Sequence, residues 1–188
     1  VIVDGENVAS KSPRQVRMKK VAHIPEDRLS NGAAVDATIE ENLIVDRYFS
    51  PPFKKNGFIN YRIVQEKSDE LIEKFGILTP SGKVPLSSLS GGNMQKVIVA
   101  REFSSEPVVL IAAQPTRGID IGATEFIREQ LVNIRNAGTA ILLVSADLGE
   151  VMSLSDRIVT LFEGEITGVF PDASKATEEE LGLYMLGV

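Results

Sequence analysis

The stretch Leu89-Ser90-Gly91-Gly92-Asn93-Met94-Gln95-Lys96, the apolar run 108–113 (VVLIAA) and the segment Gln114-Pro115-Thr116-Arg117-Gly118-Ile119-Asp120 decide how the chain is read. Two adjacent glycines behind a serine open a helical pattern in which Met94, Val97 and Ile98 are the apolar positions. Serine is a strong N-cap and glycine leaves the backbone bare, so exposed N–H groups stand at a helix N-terminus, an arrangement that attracts phosphate. Six uninterrupted apolar residues then suit a strand buried on both faces of a parallel sheet. Ligands of such sheets bind beyond the carboxyl ends of the strands, and Gln114 stands at that end.

Towards the N-terminus, residues 1–8 read as a strand, an Asp4-Gly5 turn and a second short strand, and Ser12-Pro13 opens a helix running to about Lys20. Residues 21–24 form a strand that stops at Pro25-Glu26-Asp27-Arg28. Glu26, a carboxylate at a strand's carboxyl end, can reach a phosphate-bound water or a metal, or be no more than a solvated loop charge. His23 is the only histidine, with no cysteine to share a metal, and reads as a packed or edge residue. Residues 38–46 suit a short helix with Ile39, Leu43 and Ile44 on one face. The Pro/Gly-broken loop 48–58 carries Tyr48, Phe49, Phe53 and Phe58; some of these rings should fold back and others seek a partner. Residues 60–75 are an amphipathic helix with Ile63, Val64, Leu71, Ile72 and Phe75 inward, closed by Gly76.

Towards the C-terminus, the helix that opens at Gly91 should end near Phe103, residues 124–136 form a further helix ended by Gly138, and 139–145 a second continuous apolar strand. This βαβ unit predicts parallel strands and a right-handed crossover, with Gln114 and the turn Ser145-Ala146-Asp147 at one sheet edge. Residues 157–163 and 165–170 read as a closing hairpin, and Thr177-Glu178-Glu179-Glu180 as a capping box opening a helix with Leu181, Tyr184 and Met185.

With 188 residues, 43% of them apolar and 24% charged, the chain suits one globular domain with a sizeable core. A net charge of −6 disfavours a nucleic-acid partner, because phosphate backbones are held by Lys and Arg. Without cysteine there is neither a disulfide framework nor a thiolate metal site, which permits the cytoplasm. No apolar run approaches the roughly 18 residues of a spanning helix, so a soluble chain is expected, with any membrane role exercised through a partner. The start at Val1, a strand with no opening element before it, reads as a fragment boundary.

The order LSGG, buried strand, proline-bearing turn and TRGID resembles the ATP-binding cassette family: signature motif, Walker B strand, D-loop. The form PEDR at the Q-loop position, the PPF…GF insertion and IAAQPTRG are similar to the carboxy-terminal cassette of fused simple-sugar and nucleoside importers. The resemblance covers the whole chain and implies a P-loop NTPase (RecA-like) α/β core, truncated at its N-terminus, over 1–26 and 104–170. An inserted helical subdomain over 27–103 would carry the signature, and 171–188 a C-terminal helix. ATP and Mg2+ are the implied cofactors of the full transporter. The implied partners are a sister cassette, membrane permease subunits and, indirectly, a substrate-binding protein, at the cytoplasmic face of the membrane.

The same resemblance singles out departures. No GxxxxGK[ST] phosphate cradle occurs in these residues. Where the family carries aspartate and glutamate the chain has Ala113 and Gln114, and Ala146 takes the place of the switch histidine. A methyl cannot hold magnesium and a neutral amide is a poor base, so the chain's own site is expected to be degenerate. Leu89, Ser90, Gly91, Gly92 and Asn93 would instead complete the ATP site of the opposite cassette, with Glu26 as a nucleotide-side group. Asp120 would couple the two sites, serve as N-cap of the next helix, or do both. An inert regulatory or docking module is the competing expectation. A soluble ABC protein of translation or DNA repair would need basic surfaces or a long coiled coil, and the chain is acidic without sustained heptads.

Overall fold

The strands Ile2–Val3 (β1) and Glu6–Asn7 (β2) pair antiparallel, as the opening hairpin requires. The turn residue Asp4 lies outside the described part of the computed structural model, which covers residues 1–3 and 5–187. Ser12 caps Pro13–Met18 (α1) with a full capping box closed by Gln15, and Lys20, in the left-handed region at φ 58°, ends the turn one step before Val21–Ile24 (β3). A π-helical turn, Arg28–Gly32, follows, capped by Asp27. Next come Ile39–Ile44 (α2), opened by a Thr38/Glu41 capping box, and two residues each of Lys54–Lys55 (β4) and Phe58–Ile59 (β5). Tyr61–Lys74 (α3), Gly91–Phe103 (α4), Val109–Ala113 (β6), Ile121–Asn136 (α5) and Ala140–Val144 (β7) complete the first part of the chain. Leu148–Leu154 (α6), Ile158–Phe162 (β8), Glu165–Phe170 (β9) and Glu178–Met185 (α7) make up the remainder.

The contacts divide the chain into two units, Val1–Leu142 and Leu143–Val188. The first is built around α4. Every residue from Val97 to Phe103 is buried, and α2, α3, α5 and β3 all pack on this one helix. A helix buried on all sides over this span belongs in a core, and burying each of its large aliphatic side chains contributes about 1.5–3 kcal/mol. β3 and β6 pair parallel, Ala22 opposite Leu110 and Ile24 opposite Ala112, and β7 extends the sheet in the order β3-β6-β7. Those four paired residues are fully buried on the face that α4 covers.

The sheet departs from expectation in one respect. Strands buried on both faces were predicted, but Val109, Ile111 and Ala113 are only half-buried, and Leu142 in β7 is 58% exposed. An unbroken apolar run therefore alternates in environment, because α4 covers one face and the opposite one stays open among the described residues. Two further boundaries move. α5 begins at Ile121, not 124, because Asp120 accepts the Ala123 amide at 2.9 Å. The loop 48–58 is not irregular throughout: it ends in the β4–β5 hairpin, turned by Asn56-Gly57, both at positive φ. Its rings do divide. Phe53 is buried with Ile44 and Val64, and Phe49 stacks under Arg14 at 3.7 Å, while Phe58 is 80% exposed.

The second unit has its own small core of Ile158, Ala173, Ala176 and Leu181, with Leu148, Val151, Met152 and Phe170 packed on it. The closing hairpin forms as expected, β8 antiparallel to β9. Thr177 caps α7, accepting the Glu180 amide at 3.2 Å, and Leu181 is buried; Tyr184, 38% exposed, packs edge-to-face on Phe170 with ring centroids 5.6 Å apart, and Met185 is 36% exposed.

The C-terminal turn of α4 contains a buried charge the apolar pattern does not announce. Glu102, 0% exposed, accepts from the Arg17 guanidinium, from Arg101 Nε at 2.9 Å and from the His23 amide at 3.1 Å. A carboxylate near a helix C-terminus opposes the helix dipole, so these cations also offset that penalty. Burial works against ionisation of Glu102, but the Arg17 hydrogen bond and the Arg101 and Arg17 charges outweigh it and hold the carboxyl below its usual range. A depressed folded pKa contributes stability above the unfolded value of 4.5 and loses it as pH falls through the folded one. Glu102→Gln should therefore cost about 3 kcal/mol near pH 7, with the gap to the parent narrowing below about pH 4. Urea unfolding of both proteins from pH 7 to pH 3 checks this, and a gap that does not depend on pH would contradict the ion-pair account.

Candidate functional site

At the other end of α4 the helix emerges. Ser90 is exposed, extended at φ −64° and ψ 157°, and its Oγ accepts from the Asn93 amide at 3.4 Å and from Asn93 Nδ2 at 3.0 Å. Asn93 is held from its other side as well, since its Oδ1 accepts the Leu78 amide at 2.8 Å. Gly91 and Gly92 carry the first two N–H groups of a thirteen-residue helix, groups for which an α-helix provides no acceptor. Leu89, half-buried, leads into this N-cap from a single 3-10 turn, Leu86–Ser88. The residues 89–93 thus lie at a helix N-terminus where Ser90 is exposed, Leu89, Gly91 and Asn93 are half-buried and Gly92 is buried.

The two glycines have a packing reason beside the electrostatic one. A Cβ on Gly92 would stand 2.5 Å from Asp120 Oδ2 and 3.0 Å from Ala123 Cβ, so only glycine lets the start of α5 approach α4 this closely. A Cβ on Gly91 would come within 3.1 Å of Arg28 Nη2. Asp120 therefore serves as N-cap of α5 and also lies against the signature backbone.

The turn between β6 and α5 lies beside this end. Ala113 closes β6 half-buried; Gln114 follows at φ 49°, and its carbonyl accepts the Arg117 amide at 3.1 Å. Gly118 takes the left-handed φ of 66° that such a turn needs. Glu26, in the PEDR segment, forms an ion pair with Arg117, both side chains more than half exposed. Sequence reasoning passed over three residues here: Arg28, which donates to the Arg117 and Gly118 carbonyls at 2.8 and 3.1 Å; Gln95, which donates to the Pro115 carbonyl at 2.8 Å; and Arg117 itself. Arg28 reaches partners 89 and 90 positions away, so no local pattern could reveal it. Gln95 gave one unread signal, a polar residue inside an apolar helix period.

Ala146 belongs to the second unit. It is exposed in the turn before α6, where Asp147 accepts the Glu150 amide at 2.9 Å and Ser145 Oγ accepts the Asp147 amide at 3.1 Å. No helix among the described residues is long and apolar enough to cross a membrane.

Comparison with known proteins places this geometry. No family model matches the chain. It is 39% identical over 182 residues to the nucleoside import ATP-binding protein NupA of Lactococcus lactis subsp. cremoris, a match of 97% of the chain and 36% of that protein. It is 40% identical over 187 residues to the guanosine import ATP-binding protein NupO of Bacillus subtilis (100% and 36%), and 35% identical over 187 residues to the ribose import ATP-binding protein RbsA of Oceanobacillus iheyensis (100% and 37%). The chain thus spans little more than a third of the length of these relatives. Among solved structures, the ATP-binding cassette MJ0796, in a dimeric post-hydrolysis state bound to ADP and Pi, superposes with a TM-score of 0.72 at 20% identity, covering 89% of this chain and 70% of that one. Along essentially its whole length, the chain is a homologue of nucleoside and sugar import ATP-binding proteins, built on the ATP-binding-cassette fold.

Proposed function

We propose that this chain is a cassette of an ATP-driven importer for nucleosides or simple sugars, and that its signature residues cap ATP held by a sister cassette. The observation that carries the proposal is the N-terminus of α4, where Ser90 is exposed and Gly91 and Asn93 are partly so, at the head of a helix largely buried beyond it. Its bare amides and the positive end of the helix dipole suit a phosphate presented from outside the chain. The end of β6 fits magnesium poorly. Ala113 offers no oxygen, Gln114 offers a neutral amide, and the Glu26 carboxylate is engaged by Arg117. Magnesium-dependent hydrolysis is therefore not expected from this chain's own residues. Its own site would close without turning over, and Asp120, against Gly92, would link the two sites.

Hydrolysis requires a phosphate cradle, a metal-bearing carboxylate and a group to position water. The purified 188-residue chain should accordingly hydrolyse Mg-ATP no faster than background; turnover abolished by Gln114→Ala would refute this.

A second expectation concerns the permease. The β4–β5 hairpin presents Lys54, Lys55 and Phe58 to solvent, and Tyr61 just beyond it is 70% exposed. Exposed aromatics beside cations suit a protein interface. In the intact transporter, amine crosslinkers should join Lys54 or Lys55 to the membrane subunit. Crosslinks confined to other parts of residues 27–103 would place the interface elsewhere.

The decisive test is Ser90→Arg in the full-length protein. Ser90 is exposed and its cap bond is long, so folding should weaken by no more than about 1 kcal/mol. Import should fall about a hundredfold, because the new side chain blocks the Gly91 and Gly92 amides from the phosphate. Restoring carboxylates with Ala113→Asp and Gln114→Glu should not be needed for uptake. Normal import by the Ser90 variant would favour the inert docking module instead.

A further inference from the structure

The turn 115–118 is held through three backbone carbonyls by side chains from two other parts of the fold. Gln95, buried inside α4, donates Nε2 to the Pro115 carbonyl at 2.8 Å. Arg28, from the segment that leaves β3, donates Nη1 to the Arg117 carbonyl at 2.8 Å and Nη2 to the Gly118 carbonyl at 3.1 Å. The guanidinium lies across Gly91, where a Cβ would meet Nη2 at 3.1 Å and crowd it.

Neither side chain is explained by stability alone. Gln95 Oε1 is buried without a hydrogen-bond partner among the described residues, a cost that an apolar residue of similar shape would avoid. Arg28 is only half-buried and uses its fork on two adjacent carbonyls, a geometry that a lysine ammonium cannot reproduce. What the two share is the object they hold. That turn runs from Gln114 to Asp120, and Asp120 Oδ2 packs against Gly92.

We propose that Arg28, assisted by Gln95, is a positioning residue that locks the 115–118 turn to the N-terminus of α4, so that signature and turn meet an opposing cassette as one rigid surface. The inference rests on the proposed capping role of Ser90–Asn93, and it assigns that site an internal strut which touches no nucleotide. Removing the strut leaves each donor amide in place but lets the turn drift relative to the helix. Because a misplacement of about 1 Å can cost a hundredfold in a reaction, the loss should fall on turnover rather than on nucleotide affinity.

The experiment uses the full-length protein assembled with its permease, as Arg28→Ala, Arg28→Lys and Gln95→Met. Hydrogen exchange should quicken at least about tenfold in amides 114–120 of Arg28→Ala, while amides 97–103 of α4 keep the parent's protection. ATP turnover should fall about tenfold or more with KM for ATP within about twofold of the parent. Arg28→Lys should restore neither quantity, and Gln95→Met, which keeps the core filled, should raise exchange in the same segment. Unchanged exchange in Arg28→Ala, rescue by lysine, or faster exchange with normal turnover would each overturn the proposal. Ser90→Arg, measured in parallel, separates the two ideas: normal import there removes the capping role, whereas the exchange data still decide whether the turn is locked by Arg28.

Discussion

The burial of α4 from Val97 to Phe103 is the constraint on which the first unit depends. A helix surrounded by α2, α3, α5 and β3 cannot shift without disturbing every neighbour, because interiors are packed at crystal-like density. Its two ends are treated oppositely. At the C-terminal end, Glu102 is driven into the core and neutralised by Arg17 and Arg101, fastening α1 to α4 across 85 positions of sequence. At the N-terminal end, an exposed serine cap and a half-buried Gly91 begin the helix, with backbone donors that the helix itself does not satisfy. A fixed rod with one clamped end and one open end is a good way to present amides at a defined place, since no reorganisation is needed when a phosphate arrives.

The glycines show how packing and chemistry can demand the same residue. Gly92 is required by the approach of Asp120 and Ala123, whatever binds at the helix end, while a side chain at Gly91 would crowd the guanidinium of Arg28. Their lack of a side chain also removes one source of shielding from the first amides of the helix. The pair therefore gives no means of separating scaffold from function by composition alone. The separation comes from Ser90, whose side chain is exposed and whose cap bond, at 3.4 Å, contributes little to the helix.

The departures at Ala113 and Gln114 sit within an otherwise well-formed turn. Gln114 adopts the left-handed region, uncommon for a residue with a side chain, and the turn is fixed by carbonyl bonds to Gln95 and Arg28 and by the Glu26–Arg117 pair. The backbone here is thus firmly held although neither position carries a carboxylate.

The sequence by itself determined the elements and the family resemblance. Apolar periodicity, serine and threonine caps, and terminating glycines place α2, α3, α4, β3, β8 and β9 within a few residues, because those signals act over one or two helical turns. It also located the signature at a helix N-terminus, since N-cap chemistry is local. Tertiary structure alone decided the rest. Whether 108–113 is buried on one face or two depends on what lies across the sheet, and whether a polar residue inside a helix is ballast or a strut depends on a partner far along the chain. Glu102 with Arg17, and Arg28 with Arg117 and Gly118, join residues 85 to 90 positions apart. Such pairs are fixed only when the core brings their backbones together, because a side chain's reach is a few ångströms while the sequence between them records nothing of that distance.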